Sequence, residues 1–302
     1  MEKLIKSTYM FIRAMPSIIL FELLYKIIIT AIALPSLSIL LKLAVEVSGT
    51  RYITSENIFD FLTHPLSLLL IIIILIICSI LSLIEISAII GGYGLLYSDM
   101  EIKVFWMLET GFRTVKKLFR NFNFILILYV LLILPLTQFT LTSGIFAFIG
   151  IPDIQTIYGI SSRKIFILIG IVMIITAVIL SSRIYSLHFF TLTDLKYLDC
   201  LKQSKKITAN KKFNTAFSLI IWTLFITFSF LVIMFIVCFI TAFAMKGFTE
   251  PENVFFISLK AIKKIINLFT AVSSLFFTPM LFSYITACFI SENKESIKIE
   301  IP

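Results

Sequence analysis

The feature that most constrains this sequence is the separation of its charged residues from six long apolar runs. Each run is long enough to cross a bilayer core, which requires about 20 consecutive apolar residues per helix. The runs cover residues 17–45, 66–96, 122–149, 165–192, 215–245 and 265–290. The charged residues inside them are Glu22, Lys26, Lys42, Glu85 and Arg183. We therefore predict an all-α, polytopic membrane bundle over residues 1–291, with six transmembrane helices in three hairpins.

The composition excludes a soluble enzyme of this length. Hydrophobic residues make up 59% of the chain and charged residues 14%, against roughly 45–50% and about 25% in soluble domains. Too few polar residues are present to cover a water-exposed surface. The net charge of +9 does not indicate nucleic-acid binding, because the basic residues lie next to the apolar runs. We expect them to meet anionic lipid headgroups.

The distribution of lysine and arginine predicts how the chain is oriented. The N-terminus and the second and fourth connectors are basic, whereas the first and third connectors carry few such residues. Because basic connectors stay on the cytoplasmic side, we predict cytoplasmic N- and C-termini in a bacterial plasma membrane, with residues 292–302 as a cytoplasmic tail or an interrupted linker. Lys246 and Lys260 in the fifth connector run against this rule.

Three basic, amphipathic segments each precede an apolar run, and they divide the chain into three similar units. They cover residues 3–13, 102–120 and 195–212. Apolar residues at helical spacing with lysines on other faces are typical of helices that lie in the membrane interface. The interfacial basic residues predicted in the last two segments are Lys116, Lys117, Arg120, Lys205, Lys206, Lys211 and Lys212.

Ionisable groups inside the apolar runs form a candidate polar cluster. Its predicted members are Glu22, Lys26, Glu85, Arg183 and His188. Glu22 and Lys26 are four residues apart, which is the favourable order for an ion pair on a helix. Both Glu85 and Arg183 lie in the predicted cytoplasmic halves of their spans, so we expect their side chains to face each other. Intramembrane charges require a partner or a polar cavity, so the cluster either joins helices or forms a pocket for a lipid headgroup or small anion.

The sequence offers no recognisable catalytic, metal or cofactor motif. The cysteines show no metal-ligand spacing, and we expect no cofactor. Pro35, Pro135 and Pro279 fall within the apolar runs and are expected to kink or interrupt their helices. Gly91, Gly92 and Gly94 close the second run, where close helix packing or a helix end is the better interpretation than a phosphate-binding loop.

Several short motifs resemble the membrane domain of membrane-anchored glycerophosphoryl diester phosphodiesterases of Gram-positive bacteria. They comprise Tyr52–Ile58 with Phe61, Leu62, Pro65 and Leu66, the run that carries Glu85, Ile151–Asp153, Arg183 with Leu187, and Ser204, Thr208 and Asn210 within residues 201–211. In those proteins, the membrane domain is followed by a catalytic barrel that opens with His-Arg-Gly. Neither histidine of this sequence precedes Arg-Gly, so the resemblance supplies no catalytic residue here.

The resemblance implies a non-catalytic membrane domain that anchors a glycerophosphodiester hydrolase or presents a lipid-derived substrate to it. We expect no enzymatic activity from this chain alone, and a separate phosphodiesterase as its partner. Two alternatives stay open. One is a transporter of a lipid-like or small anionic molecule, for which kinked helices and intramembrane charges are typical. The other is a structural assembly protein of the membrane.

Overall fold

The computed structural model describes residues 2–49, 57–121, 123–137, 182–209, 211–246 and 275–292, and every regular element in these ranges is a helix. The helices are α1 (Glu2–Ile28), α2 (Leu34–Val47), α3 (Ile58–Thr63), α4 (Pro65–Tyr97), α5 (Val104–Arg120), α6 (Phe124–Thr137), α7 (Ser186–Leu192), α8 (Tyr197–Thr208), α9 (Lys212–Lys246) and α10 (Leu275–Glu292). The all-helical prediction is confirmed for these ranges.

Four helical segments are long and apolar enough to cross a membrane. They are Ser7–Val47, Pro65–Tyr97, Asn214–Val237 and Leu275–Glu292, which correspond to the first, second, fifth and sixth predicted spans. The second half of the third predicted span and most of the fourth fall on residues 138–181, which lie outside the described residues. Six spans in three hairpins therefore stay a prediction, and four candidate spans are observed.

The first candidate span is one long helix with a local widening. A π-helical turn, Ile29–Ala33, joins α1 to α2 immediately before the proline at position 35. Proline has no N–H to donate to the carbonyl four residues earlier, which loosens the preceding turn. The irregularity expected at Pro35 is thus observed, although the helix continues through it. Its 41 residues extend about 60 Å at 1.5 Å per residue, so the helix must tilt in the bilayer or project from it.

A separate interfacial helix at residues 3–13 is not observed, and this prediction is wrong. Helix α1 runs through that segment without a break. Its buried residues follow one stripe at helical spacing from the basic segment into the span: Met10, Ala14, Ile18, Phe21 and Tyr25. Because the buried stripe is continuous, the two parts pack as a single rigid helix.

Glycines allow α5 to lie very close to α4. A methyl group at Gly111 would lie 2.8 Å from the backbone carbonyl oxygen of Ile84, and one at Gly91 would lie 2.7 Å from the Thr110 methyl. Contacts this short exclude any side chain at Gly111, since backbone cannot move aside as a flexible side chain can. The glycines at the end of the second predicted span therefore serve helix packing, as the sequence indicated.

The second and third basic segments do form helices, α5 and α8. Helix α5 buries Met107, Thr110 and Thr114 against its neighbours, while Phe105, Phe112 and Phe119 are 74%, 59% and 54% exposed. These three phenylalanines are seven residues apart and so share one face of the helix. An exposed aromatic row beside basic residues is typical of a helix at a membrane interface, and this placement stays a prediction.

Candidate functional site

Three of the predicted polar residues meet where α1 packs against α4. The Lys26 ammonium lies 2.8 Å from a carboxylate oxygen of Glu22, one turn earlier on α1. It also lies 4.0 Å from a carboxylate oxygen of Glu85 on α4. Both glutamate side chains are fully buried, and the lysine side chain is 13% exposed. We call Glu22, Lys26 and Glu85 the acidic triad.

Charge balance determines what the acidic triad can do. Two ionised carboxylates beside one ammonium give the triad a net charge of −1, which is costly in a buried position. The triad becomes neutral when the two carboxyl groups share one proton. A hydrogen bond from the Tyr25 hydroxyl to the Leu81 carbonyl oxygen, 2.6 Å long, fixes α1 against α4 next to these residues. The triad therefore joins the two helices and can hold a proton within a candidate span.

The structure does not place Arg183 in this cluster, and the predicted contact between Glu85 and Arg183 is wrong. Arg183 lies in a turn before α7, and its side chain is exposed, whereas Glu85 is fully buried. The backbone carbonyl of Arg183 accepts a 2.7 Å hydrogen bond from the Tyr129 hydroxyl. An arginine in an exposed turn keeps its hydration, which avoids the cost of burying the guanidinium inside the bundle.

His188 is also apart from the acidic triad, in an aromatic environment between α7 and α10. Its ring nitrogen Nε2 lies 3.0 Å from the Thr286 hydroxyl. Ring centroids of Phe289 and Phe282 lie 5.1 and 6.3 Å from the imidazole. These contacts bury the ring completely, and they fit the helix-packing alternative given for the cluster. Within the described residues, no group of three or more His, Cys, Asp or Glu side chains is positioned to hold a metal ion.

Most of the predicted interfacial basic residues are exposed, and Lys117 is the exception. The exposed side chains are those of Lys116, Arg120, Lys205, Lys206 and Lys211; the Lys212 side chain lies outside the described residues. Lys117 is buried instead, with its ammonium donating a 2.9 Å hydrogen bond to the Phe190 carbonyl and a second bond to the Thr193 carbonyl. The ammonium also lies 4.4 Å from the centre of the Phe190 ring.

Lys117 therefore caps the C-terminal end of α7. The last carbonyl groups of a helix lack intrahelical partners and carry partial negative charge, which the ammonium satisfies. Burial lowers the pKa of Lys117 below its ordinary value. Spacing within α5 carries a signal for this position, because Lys117 continues the buried series Met107, Thr110 and Thr114 at steps of three and four.

A cavity that the sequence did not suggest lies between the turn before α7 and the helices α9 and α10. Its volume is about 230 Å³, and its walls combine hydroxyl groups, one basic and one acidic side chain, and apolar residues. The basic group is Lys211, at the start of α9, and the acidic group is Glu292, in the last described turn of α10. The only signal in the sequence is that these residues flank the fifth and sixth apolar runs.

Comparison with known families identifies the family of this sequence. The family model described as the membrane domain of glycerophosphoryl diester phosphodiesterase matches residues 4–300. The chain belongs to this family. The resemblance drawn from the sequence motifs is thereby confirmed, and the apolar helices are the transmembrane part of this membrane domain. Comparison with curated proteins and with solved structures gave no match.

Proposed function

We propose that this membrane domain is non-catalytic and anchors a glycerophosphodiester hydrolase to the membrane, or presents a lipid-derived substrate to it. The observation that carries the proposal is the family match over residues 4–300. The hydrolase would be a separate phosphodiesterase, and the membrane would be the bacterial plasma membrane. The exposed basic residues of α5 and α8 are suited to contact anionic headgroups beside that enzyme.

The separation of polar groups in the domain supports this role. The acidic triad is buried within candidate spans, whereas the cavity with Lys211 and Glu292 lies at the start of α9, where the apolar span begins. A domain that presents substrate needs a polar site at such a boundary, because the headgroup of a lipid lies there. An enzyme acting from the aqueous side would reach a substrate held at this level.

Reconstitution tests the proposal. The full chain is incorporated into vesicles, and the isolated catalytic barrel of a glycerophosphoryl diester phosphodiesterase is added. We expect the chain alone to release no glycerol phosphate from glycerophosphoethanolamine. We expect the barrel to sediment with vesicles that contain the chain and not with empty vesicles. Hydrolysis by the purified chain alone would overturn the non-catalytic role, and equal sedimentation with both kinds of vesicle would overturn the anchoring role.

A transport function is the second candidate, and the acidic triad favours it. Two buried carboxyl groups beside one ammonium within candidate spans, and a span whose backbone widens at Ile29–Ala33, are features found in proton-coupled transporters. Uptake of labelled glycerophosphoethanolamine into proteoliposomes, dependent on a pH gradient and lost in Glu85→Gln, would support this candidate. Uptake equal to that of empty liposomes would exclude it for this substrate.

A further inference from the structure

The cavity at the start of α9 has the shape and composition of a binding site for a small amphipathic group. Thr215, Ser218 and Tyr284 contribute hydroxyl groups to its walls, and Leu219 and Ile285 contribute apolar surface. Its volume of about 230 Å³ is below the roughly 300–1,000 Å³ of pockets for drug-sized ligands. The space therefore suits a headgroup and not a complete lipid.

Both signs of charge are present at this cavity. The Lys211 ammonium lies 3.8 Å from a carboxylate oxygen of Glu292, and the two side chains are 59% and 12% exposed. At that separation they attract each other without a direct hydrogen bond. An ammonium has three donors and a carboxylate about four acceptor sites, so each can bind a further polar group beside this contact. The cavity carries no net charge from these two residues, which disfavours a simple anion or a simple cation.

The two walls differ in the charge they favour. Asn214 lies in the first turn of α9, where the helix dipole and the N-terminal backbone N–H groups attract anions. The Thr215 N–H is already bonded to the Lys211 carbonyl oxygen, so Thr215 contributes its hydroxyl group. Lys211 adds a positive charge on the same wall. The opposite wall has the Glu292 carboxylate and the Tyr284 ring. An ammonium group is stabilised by a carboxylate and by an aromatic face.

We propose that this cavity binds a zwitterionic phosphodiester headgroup of the phosphoethanolamine type. The phosphate would lie against Lys211 and the first turn of α9, and the ammonium against Glu292 and Tyr284. The choice of a phosphodiester rests on the proposed function, and the preference for a zwitterion rests on the two opposite charges alone. The same headgroup chemistry occurs in a membrane phospholipid and in free, deacylated glycerophosphoethanolamine.

Binding to the purified full chain in detergent micelles tests the proposal. The probes are lysophosphatidylethanolamine, anionic lysophosphatidylglycerol and free glycerophosphoethanolamine. Tryptophan fluorescence serves as the signal in a Trp106→Phe background, because Trp222 stacks on Tyr284 with ring centroids 5.1 Å apart. We expect the ethanolamine lipid to bind about tenfold more tightly than the glycerol lipid, which corresponds to one charge-assisted hydrogen bond.

Variants of the charged pair separate this site from general lipid adsorption. Glu292→Gln should reduce the preference for the ethanolamine lipid by about tenfold, because it removes the partner of the ammonium while Lys211 still attracts phosphate. Lys211→Gln should weaken both lipids. Asp199→Asn and Lys202→Gln are matched controls, because Asp199 and Lys202 form an exposed surface pair 3.3 Å apart outside the cavity. They should leave the preference unchanged.

Each outcome has a defined meaning. Comparable binding of free glycerophosphoethanolamine and its lysolipid supports the headgroup site with the free diester as ligand, whereas binding of the lysolipid alone supports it with the membrane lipid as ligand. Equal affinity for the two lysolipids, or a preference that persists in a Glu292→Gln protein with wild-type unfolding temperature, would overturn the inference. Sedimentation of the catalytic barrel with vesicles does not depend on this preference, so the anchoring role stands or falls separately.

Discussion

At the residue scale, the acidic triad shows how one lysine makes two buried carboxyl groups tolerable. Glu22 and Glu85 are fully buried, and the Lys26 ammonium lies 2.8 and 4.0 Å from their carboxylate oxygens. Removing one partner of a buried ion pair is more damaging than replacing the whole pair by apolar residues, because the remaining charge is then left without compensation. The triad is therefore expected to be the most sensitive polar contact between α1 and α4.

We predict that Lys26→Met destabilises the protein by about 3–5 kcal/mol, the range for breaking a buried ion pair from one side. Lys42→Met is the matched control, because Lys42 lies in the same long helix and is exposed. Its effect should stay within about 0.5 kcal/mol. Adding Glu22→Gln to Lys26→Met should recover part of the loss, since it removes one uncompensated carboxylate. Unfolding in micelles measures all three; equal effects of the two lysine variants would contradict the prediction.

Lys117 is the second residue for which the structure makes a specific prediction. Its ammonium bonds the carbonyl oxygens of Phe190 and Thr193 at the end of α7. Lys117→Met leaves those acceptors unsatisfied, so we expect a loss of about 1–3 kcal/mol. Lys116→Met, one residue earlier and exposed, should change the free energy of unfolding by less than about 0.5 kcal/mol. Equal losses would show that the cap contributes no stability.

The same residue gives a pH dependence with a defined sign. Burial lowers the pKa of Lys117 in the folded protein, so the unfolded chain binds more protons between that lowered value and the ordinary value of 10.5. The Lys117 contribution to the free energy of unfolding therefore rises with pH in this window. The difference between wild type and Lys117→Met isolates the effect from other titrating groups. A difference that stays constant across the window would contradict the assignment.

At the scale of elements, the close contact between α4 and α5 depends on glycines, and Gly111 is the one that faces backbone atoms. A side chain at Gly111 would meet the Ile84 carbonyl oxygen at 2.8 Å, whereas one at Gly92 would meet the end of the Met107 side chain at 3.2 Å. Methionine has three rotatable bonds and adapts to small intrusions. A backbone carbonyl inside a helix cannot adapt without moving the helix.

We therefore predict different outcomes for two identical substitutions. Gly111→Ala should destabilise the protein by about 1–3 kcal/mol, the usual cost of overpacking, and should loosen α5 from α4. Gly92→Ala should cost less, since the Met107 side chain can move and alanine is the better helix former. Unfolding in micelles, with limited proteolysis in the α4–α5 connection, measures both effects. A larger loss of stability in Gly92→Ala than in Gly111→Ala would contradict the prediction.

At the scale of the whole molecule, the sequence predicted the features that depend on local periodicity. The apolar runs indicated helices, the spacing of Glu22 and Lys26 predicted their ion pair, and the glycines after residue 90 indicated close packing. The prediction for Arg183 is wrong because it assumed one continuous helix to residue 192. The chain instead forms a turn at residues 182–185 before α7. The spacing within α5 indicates that Lys117 is buried, but its partners are carbonyl groups more than 70 residues away, which no local pattern contains.

The orientation in the membrane stays a prediction, and the described residues provide a way to test it. Basic connectors predict that α8 faces the cytoplasm and that α3, in the first connector, faces the opposite side. Lys205 in α8 and Thr63 in α3 are both exposed. A cysteine introduced at either position, in addition to the four of the wild-type chain, should therefore react with a membrane-impermeant maleimide, and the two should react from opposite sides.

We predict that Thr63→Cys is labelled in intact cells and that Lys205→Cys is labelled only after the membrane is opened. The wild-type chain is the background control. Its Cys200 is buried in α8, and burial raises the pKa of that thiol to about 12, so little of the reactive thiolate forms at neutral pH. Labelling of Lys205→Cys in intact cells would contradict the predicted orientation. The start of α9, with its headgroup cavity, would then lie on the outer side. A hydrolase supplied from the cytoplasm could then not receive substrate from that cavity, so this measurement also decides from which side the partner must come.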